Sequence, residues 1–260
     1  MSYQNLLTEL DQDGILCITL NRPDKLNALS AELLDELLDA LHQAKSNPKI
    51  YSLLLTGSGK AFCAGADIRR LAELDANSAY KFARHGQHVF RQLETLGKPS
   101  LAAVNGFCFG GGCELAMAAT LRFASHEARF GQPEVKLGVI PGFGGTQRLS
   151  RLVGKGRALD LCLSGRTLEA TEAHGWGLAN ALHSGDTLLS AAKDYLRQLR
   201  ALAPIALKRT IQAIDQGYEL PLEDALELEA LLFAQTAATQ DKAEGVAAFL
   251  EKRKANFVGE

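Results

Sequence analysis

Through about residue 185 the chain alternates β-type runs of five or six residues with helical stretches, and that alternation confines it to α/β architectures. Ile15–Leu20 reads as a strand and stops at the turn cluster Asn21-Arg22-Pro23-Asp24. Ser30 is placed to N-cap the next helix, where Leu33, Leu34, Leu37, Leu38 and Leu41 form an apolar stripe and Asn47-Pro48 ends it. Tyr51–Leu55 predicts a second strand, closed by Thr56-Gly57-Ser58-Gly59. A longer helix is expected over about Ala79–Leu96, with Val89, Phe90, Leu93 and Leu96 on one face and Lys98-Pro99 beyond it. Ser100–Val104 is a third strand. A helix from about Cys113 to Ala119 and short strands near Leu121–Ala124 and Ala128–Phe130 follow. From Thr187 onward the patterns are helical only. Pro204 opens one helix, Gly217 closes it, Pro221 precedes another, and Glu244–Glu251 predicts the last. Their apolar stripes must pack on the core or against another subunit.

A chain of 260 residues can bury a large core without disulfide or metal staples. Its net charge of −2 offers no broad basic field, so general nucleic-acid or membrane-surface binding is not expected. Cys17, Cys63, Cys108, Cys113 and Cys162 are scattered and make no C-x-x-C pair, which argues against a zinc ribbon or a disulfide framework. His85-x-x-His88 suggests no third ligand and reads as an exposed helical pair, so no metal site is expected. The first fourteen residues hold Glu9, Asp11 and Asp13 and no Lys or Arg, unlike a leader. No apolar run approaches the roughly 20 residues that span a bilayer. A cytoplasmic location is the expectation. There is neither a P-loop nor a G-x-S-x-G elbow.

The chemistry concentrates in Ala103–Leu115, AVNGFCFGGGCEL. Gly110-Gly111-Gly112 stand directly before a helix, whose first N–H groups are unpaired donors and whose dipole favours negative charge. Such a terminus suits a phosphate or a developing oxyanion, although three glycines can equally serve close strand–helix packing. Glu114 falls in the first helical turn among Cys113, Leu115, Ala116 and Met117, surroundings that disfavour a solvated carboxylate. Glu134 follows Gly131-Gln132-Pro133, where the backbone is constrained. A second glycine-rich turn, Pro141-Gly142-Phe143-Gly144-Gly145-Thr146, leads into another helix, and Ala61–Ile68 (AFCAGADI) is a further candidate donor segment. Trp176 is taken as a packing residue.

Together these stretches resemble the crotonase family, and within it the enoyl-CoA hydratases. The resemblance is carried by LNRPDKLNAL (Leu20–Leu29), AFCAGADI, AAVNGFCFGGGCELAMA (Ala102–Ala118), ARFGQPEVKLGVIPGFGGTQRL (Ala128–Leu149) and EGVAAFLEKRKANF (Glu244–Phe257). It implies an α/β spiral of ββα units with the active site over residues 1–195, then a helical oligomerisation region over 196–260. It also implies a trimer or a dimer of trimers. Matched residue by residue, the oxyanion donors would be the Ala66 and Gly111 N–H groups. Glu114 and Glu134 would be the catalytic carboxylates. Coenzyme A, part of the substrate rather than a separate cofactor, would lie near Lys25, Leu26, Ala28, Ala64, Asp67 and Ile68. Gly110, Pro133 and Gly142 would also contact the acyl-CoA substrate, and Phe233 and Lys252 would reach coenzyme A from the tail. Phe107, Phe109 and Phe143 are candidates for shaping the acyl pocket.

The implied reaction is hydration of a trans-2-enoyl-CoA, as in fatty-acid β-oxidation. Glu114 is assigned as base, favoured by its helix N-terminus, and Glu134 as acid. The roles can exchange because such a pair titrates as a unit. Shifting a 3-enoyl-CoA double bond needs one base rather than two carboxylates, so isomerisation is the alternative. A non-catalytic RNA-binding relative is a further one, disfavoured by the intact glutamates and the near-neutral charge.

Overall fold

A computed structural model describes residues 3–260; Met1 and Ser2, the first of the fourteen residues read for a leader, lie outside it. The strands are β1 (Leu6–Leu10), β2 (Ile15–Leu20), β3 (Ser52–Gly57), β4 (Ala61–Cys63), β5 (Ser100–Val104), β6 (Phe107–Phe109), β7 (Leu121–Ser125), β8 (Arg129–Gly131), β9 (Leu168–Glu169) and β10 (Ala181–His183). The helices are α1 (Ala31–Ser46), α2 (Ile68–Ala72), α3 (Ala76–Glu94), α4 (Gly111–Ala118), α5 (Gly145–Val153), α6 (Lys155–Ser164) and α7 (Ala170–Gly175). Then come α8 (Leu188–Arg200), α9 (Pro204–Gly217), α10 (Leu222–Ala237) and α11 (Gln240–Leu250).

One sheet runs β1-β2-β3-β5-β7-β10, parallel except for β1 against β2. A smaller sheet runs β4-β6-β8-β9, with β4, β6 and β8 parallel and β9 antiparallel. The successive pairs β3–β4, β5–β6 and β7–β8 each give one strand to the large sheet and the next to the small one, and then the chain turns helical. That is a spiral of ββα units, the crotonase-like α/β fold that the resemblance implies.

Strand alternation divides the core. Leu53 and Leu55 of β3 face the cluster that holds α1's leucines and Val89, Phe90 and Leu93 of α3. Leu54 faces the opposite way, onto Leu188, Ala192 and Leu196 of α8. The first helix of the C-terminal stretch therefore belongs to the core. The helices beyond it leave Ile214, Leu222, Leu231, Phe233, Phe249 and Leu250 exposed.

Local signals explain most boundaries. Ser30 caps α1 as expected, its Oγ accepting from the Leu33 N–H. The third helix starts three residues before the expected Ala79, because Asp75 and Ser78 form a capping box: Oδ1 accepts from the Ser78 N–H at 2.7 Å and Ser78 Oγ from the Asp75 N–H at 2.9 Å. His85 Nε2 lies 2.9 Å from Asp35 Oδ1, which ties α3 to α1. Trp176 is flanked by the Arg157 and Arg166 guanidiniums, 5.5 and 5.1 Å from its ring centroid. Among the described residues no helix is long and apolar enough to cross a membrane.

Candidate active site

The whole of α4 is buried, and Glu114 with it, at 1% exposure. Its carboxylate reaches across to the second glycine-rich turn, where Oε1 accepts from the Phe143 N–H at 2.8 Å and the Gly145 N–H at 2.6 Å. Gly145 is the first residue of α5, so Glu114 faces the positive ends of two helices, its own and α5. Burial and then the neighbouring Glu134 nonetheless push its pKa up to about 8, against the pull of the two N–H donors and Arg148.

Glu134 opens a short 3-10 turn, Glu134–Leu137, just past β8. A Cβ on Gly110 would come within 2.7 Å of Glu134 Oε1, so this half-buried carboxyl lies against the start of α4. Fully buried Gln132, with its amide nitrogen turned toward Glu134, donates to Oε1 at 3.0 Å and Oε2 at 3.1 Å. Burial raises this group to about 7.

Both carboxyls thus titrate above their ordinary 4.5, and the folded protein keeps protons that the unfolded chain has released. Their contribution to stability is full below about 4.5 and lost as pH rises through about 7 and about 8. Melting curves from pH 5 to pH 9 should show the wild type losing more Tm than the Glu114→Gln, Glu134→Gln double variant. Parallel curves would mean that neither group is raised.

The candidate donors come from two loops. Leu29 and Ala66 form an isolated parallel bridge, in which the Leu29 N–H donates to Gly65 O at 2.8 Å and the Asp67 N–H to Leu29 O at 2.9 Å. That pattern turns the Ala66 N–H to the other side. Among the described residues it has no acceptor, and neither has the Gly111 N–H. The loops are close: a Cβ on Gly65 would lie 3.8 Å from Gly111 N.

The three glycines divide their work. Gly110 adopts φ +49° and ψ −124°, a conformation that L side chains avoid. Gly112 serves packing, because a Cβ there would fall 2.1 Å from Cys63 O at the end of β4.

The segments expected near coenzyme A are joined. The Ala64 N–H donates to Leu26 O at 2.9 Å, and Arg22 pairs with Asp67 at 3.1 Å while also donating to Ala28 O. Leu26 and Asn27 hold left-handed backbone, fixed by buried Asn27 Nδ2 donating to Ser58 O and Ala61 O. Lys25 and Ile68 are exposed beside them. Pro133 directly precedes Glu134, and Gly142 O, next to Phe143, accepts from Gln87 Nε2 at 2.9 Å. Phe233 and Lys252 stand apart, exposed on α10 and just past α11, and no hydrogen bond among the described residues ties either to the glutamates. Phe143 proves to be core: its ring meets Phe82 and Phe90 edge-on at 5.0 and 5.7 Å. Phe107 and Phe109 stack on each other at 5.8 Å.

Sequence reasoning missed Gln132, the Phe143 and Gly145 donors, and Arg148. Arg148 Nη1 donates to Phe143 O at 2.6 Å while Nη2 meets Glu94 Oε2 at 3.1 Å, so it anchors the turn that holds Glu114. The Gly144-Gly145 pair was the available signal, since it marks a helix start with free N–H groups.

Comparisons with known proteins agree on one family. The family model described as Enoyl-CoA hydratase/isomerase matches residues 11–260. A crotonyl-CoA hydratase from Syntrophomonas wolfei is 43% identical over 259 residues, covering 99% of both chains. A short-chain-enoyl-CoA hydratase from Clostridium acetobutylicum is 43% identical over 256 residues, covering 98% of this chain and 97% of the other. The crystal structure of an enoyl-CoA hydratase from Bacillus anthracis superposes with a TM-score of 0.95 at 36% identity, covering 99% of this chain and all of that one.

Proposed function

The chain belongs to the enoyl-CoA hydratase/isomerase family, and from that premise we propose that it hydrates short-chain trans-2-enoyl-CoA thioesters to 3-hydroxyacyl-CoA. The observation that carries this reading is a buried and a half-buried carboxyl, both with raised pKa values, beside two N–H groups that lack acceptors. The relatives named for crotonyl-CoA and short-chain enoyl-CoA support the substrate class.

The thioester oxygen accepts from the Ala66 and Gly111 N–H groups. As water attacks C3, charge gathers on that oxygen, and each preorganised donor is worth about 3–4 kcal/mol of barrier. Near neutral pH the carboxyl pair holds one proton. The ionised member takes a proton from water, and the protonated member delivers one to C2. Helix ends and N–H donors favour an ionised Glu114, whereas burial leaves Glu134 the easier to ionise. Acid and base roles therefore belong to the pair. Two carboxyls around one water favour hydration over isomerisation, for which one base suffices.

Residues 196–260 act as the oligomerisation region in this reading. Phe233 and Phe249 are 72% and 83% exposed, and a homotrimer or a dimer of trimers would cover such faces. Phe233 and Lys252 then reach coenzyme A from the tail.

The test is loss of the enoyl-thioester absorbance with crotonyl-CoA and longer 2-enoyl-CoAs. Turnover is expected to be fastest with crotonyl-CoA, with the product heavier by one water. Absence of turnover across the series would remove the hydratase reading.

A further inference from the structure

A cavity of about 410 Å³ lies at the N-terminal ends of β3 and β5, where α8 meets α9. The Ala66 and Gly111 loops instead leave the C-terminal ends of β4 and β6, so this cavity is separate from the candidate active site. Its size falls within the roughly 300–1,000 Å³ of small-molecule sites. The walls are largely apolar, with Ile50, Leu196, Leu199, Leu202, Ile205 and Leu207 among them.

Three polar groups interrupt those walls. Ser52 is 3% exposed, and its Oγ has no hydrogen-bond partner among the described residues. Two residues before Leu54, it shares the sheet face that α8 covers, with the hydroxyl sealed beneath the cavity wall. Lys98 Nζ donates to Ala44 O at 2.6 Å and Asn47 O at 2.8 Å, at the end of α1, and keeps a third proton. The Lys208 stem crosses Gly97, its Cε 3.3 Å from where a Cβ would stand, and its ammonium has no acceptor among the described residues. Burial and the nearby Lys208 hold Lys98 below its ordinary pKa, and no carboxylate offsets them. Arg200, also on the rim, is already taken up by Asp13 and by the Tyr51 ring. The first turn of α9 has no side-chain cap, and its free N–H groups add to the positive potential.

We propose that this cavity binds a small amphipathic carboxylate, a fatty-acid-like monoanion. Its carboxylate lies between Lys98 and Lys208, and its alkyl chain runs along the α8–α9 wall. Two cations match one carboxylate, and the apolar walls suit a hydrocarbon chain better than a sugar or a nucleotide. The inference does not rest on the hydratase reading, since no catalytic group takes part.

The probe is octanoate, titrated calorimetrically into the full chain with coenzyme A saturating in both syringe and cell, so that the catalytic site is filled. One saturable event is expected, together with a rise in Tm. Lys208→Glu should weaken it at least tenfold, and Lys208→Arg should retain it. Crotonyl-CoA turnover should be the same in the Lys208 variants as in wild type. No saturable binding, equal binding by Lys208→Glu, or octanol binding as tightly as octanoate would each overturn the proposal. If Lys208→Glu fails to fold, the octanol comparison in the wild type still decides.

Discussion

Replacing Glu134 with Gln should lower kcat for crotonyl-CoA hydration by about 10²–10⁴-fold, the usual contribution of one positioned acid or base. Glu114→Gln should do the same. In that variant the amide oxygen can still accept from the Phe143 and Gly145 N–H groups, so the turn at α5 survives and the loss falls on proton transfer. KM should change little, because the Ala66 and Gly111 donors are main-chain groups that neither substitution touches. The double variant should be about as slow as the worse single one, since groups that act as a unit do not add. In the wild type, kcat/KM should fall on both sides of the window between about pH 7 and about pH 8, where the pair holds one proton. Steady-state rates on purified variants, with circular dichroism to confirm folding, provide the check. Near wild-type turnover by either single variant would rule out the two-carboxyl mechanism.

Gly112→Ala should be strongly damaging although it removes no functional group. The added Cβ would sit 2.1 Å from the Cys63 carbonyl oxygen, and the atom in its way is backbone, so α4 and the end of β4 must part. Overpacking of this kind costs about 1–3 kcal/mol. The separation also spreads the two loops that present the Ala66 and Gly111 N–H groups, and misplacing one such donor slows the chemical step about 10²–10³-fold. Tm and kcat should therefore fall together, with the glutamates untouched. Full activity in a stably folded Gly112→Ala protein would mean that the spacing of those loops is immaterial.

The sequence displayed whatever depends on neighbours along the chain. The α1 stripe, the Ser30 cap and the longer strands are local patterns, and the structure has them. Glu114 was legible because a carboxylate among Cys113, Leu115, Ala116 and Met117 contradicts its surroundings. Strand β8 was legible near Ala128–Phe130, but β4, β6 and β9 run two or three residues, too short to show alternation, so most of the second sheet had no periodic signal. Strand β1 hid for another reason: only Leu6 of its five residues is buried. The donors to Glu114 lie 29 and 31 residues further along, a distance at which no spacing rule operates. Nor could composition divide Gly110, Gly111 and Gly112 into a left-handed turn, a free donor and a packing contact. An aromatic ring in a glycine-rich turn also gives no hint that Phe82 and Phe90 of α3 enclose it, as they do Phe143.

The bridge between Leu29 and Ala66 has a consequence for how such a protein can change over time. It fixes one donor through strand pairing and leaves the side chain at 66 out of the matter, just as the start of α4 fixes the other. No codon change deletes a peptide N–H short of proline. In the proposed mechanism the polarising groups thus belong to the main chain, whereas proton transfer belongs to side chains at 114 and 134 that a codon change can replace. A saturation library at those two positions would vary the proton-transfer groups while leaving both main-chain N–H groups in place.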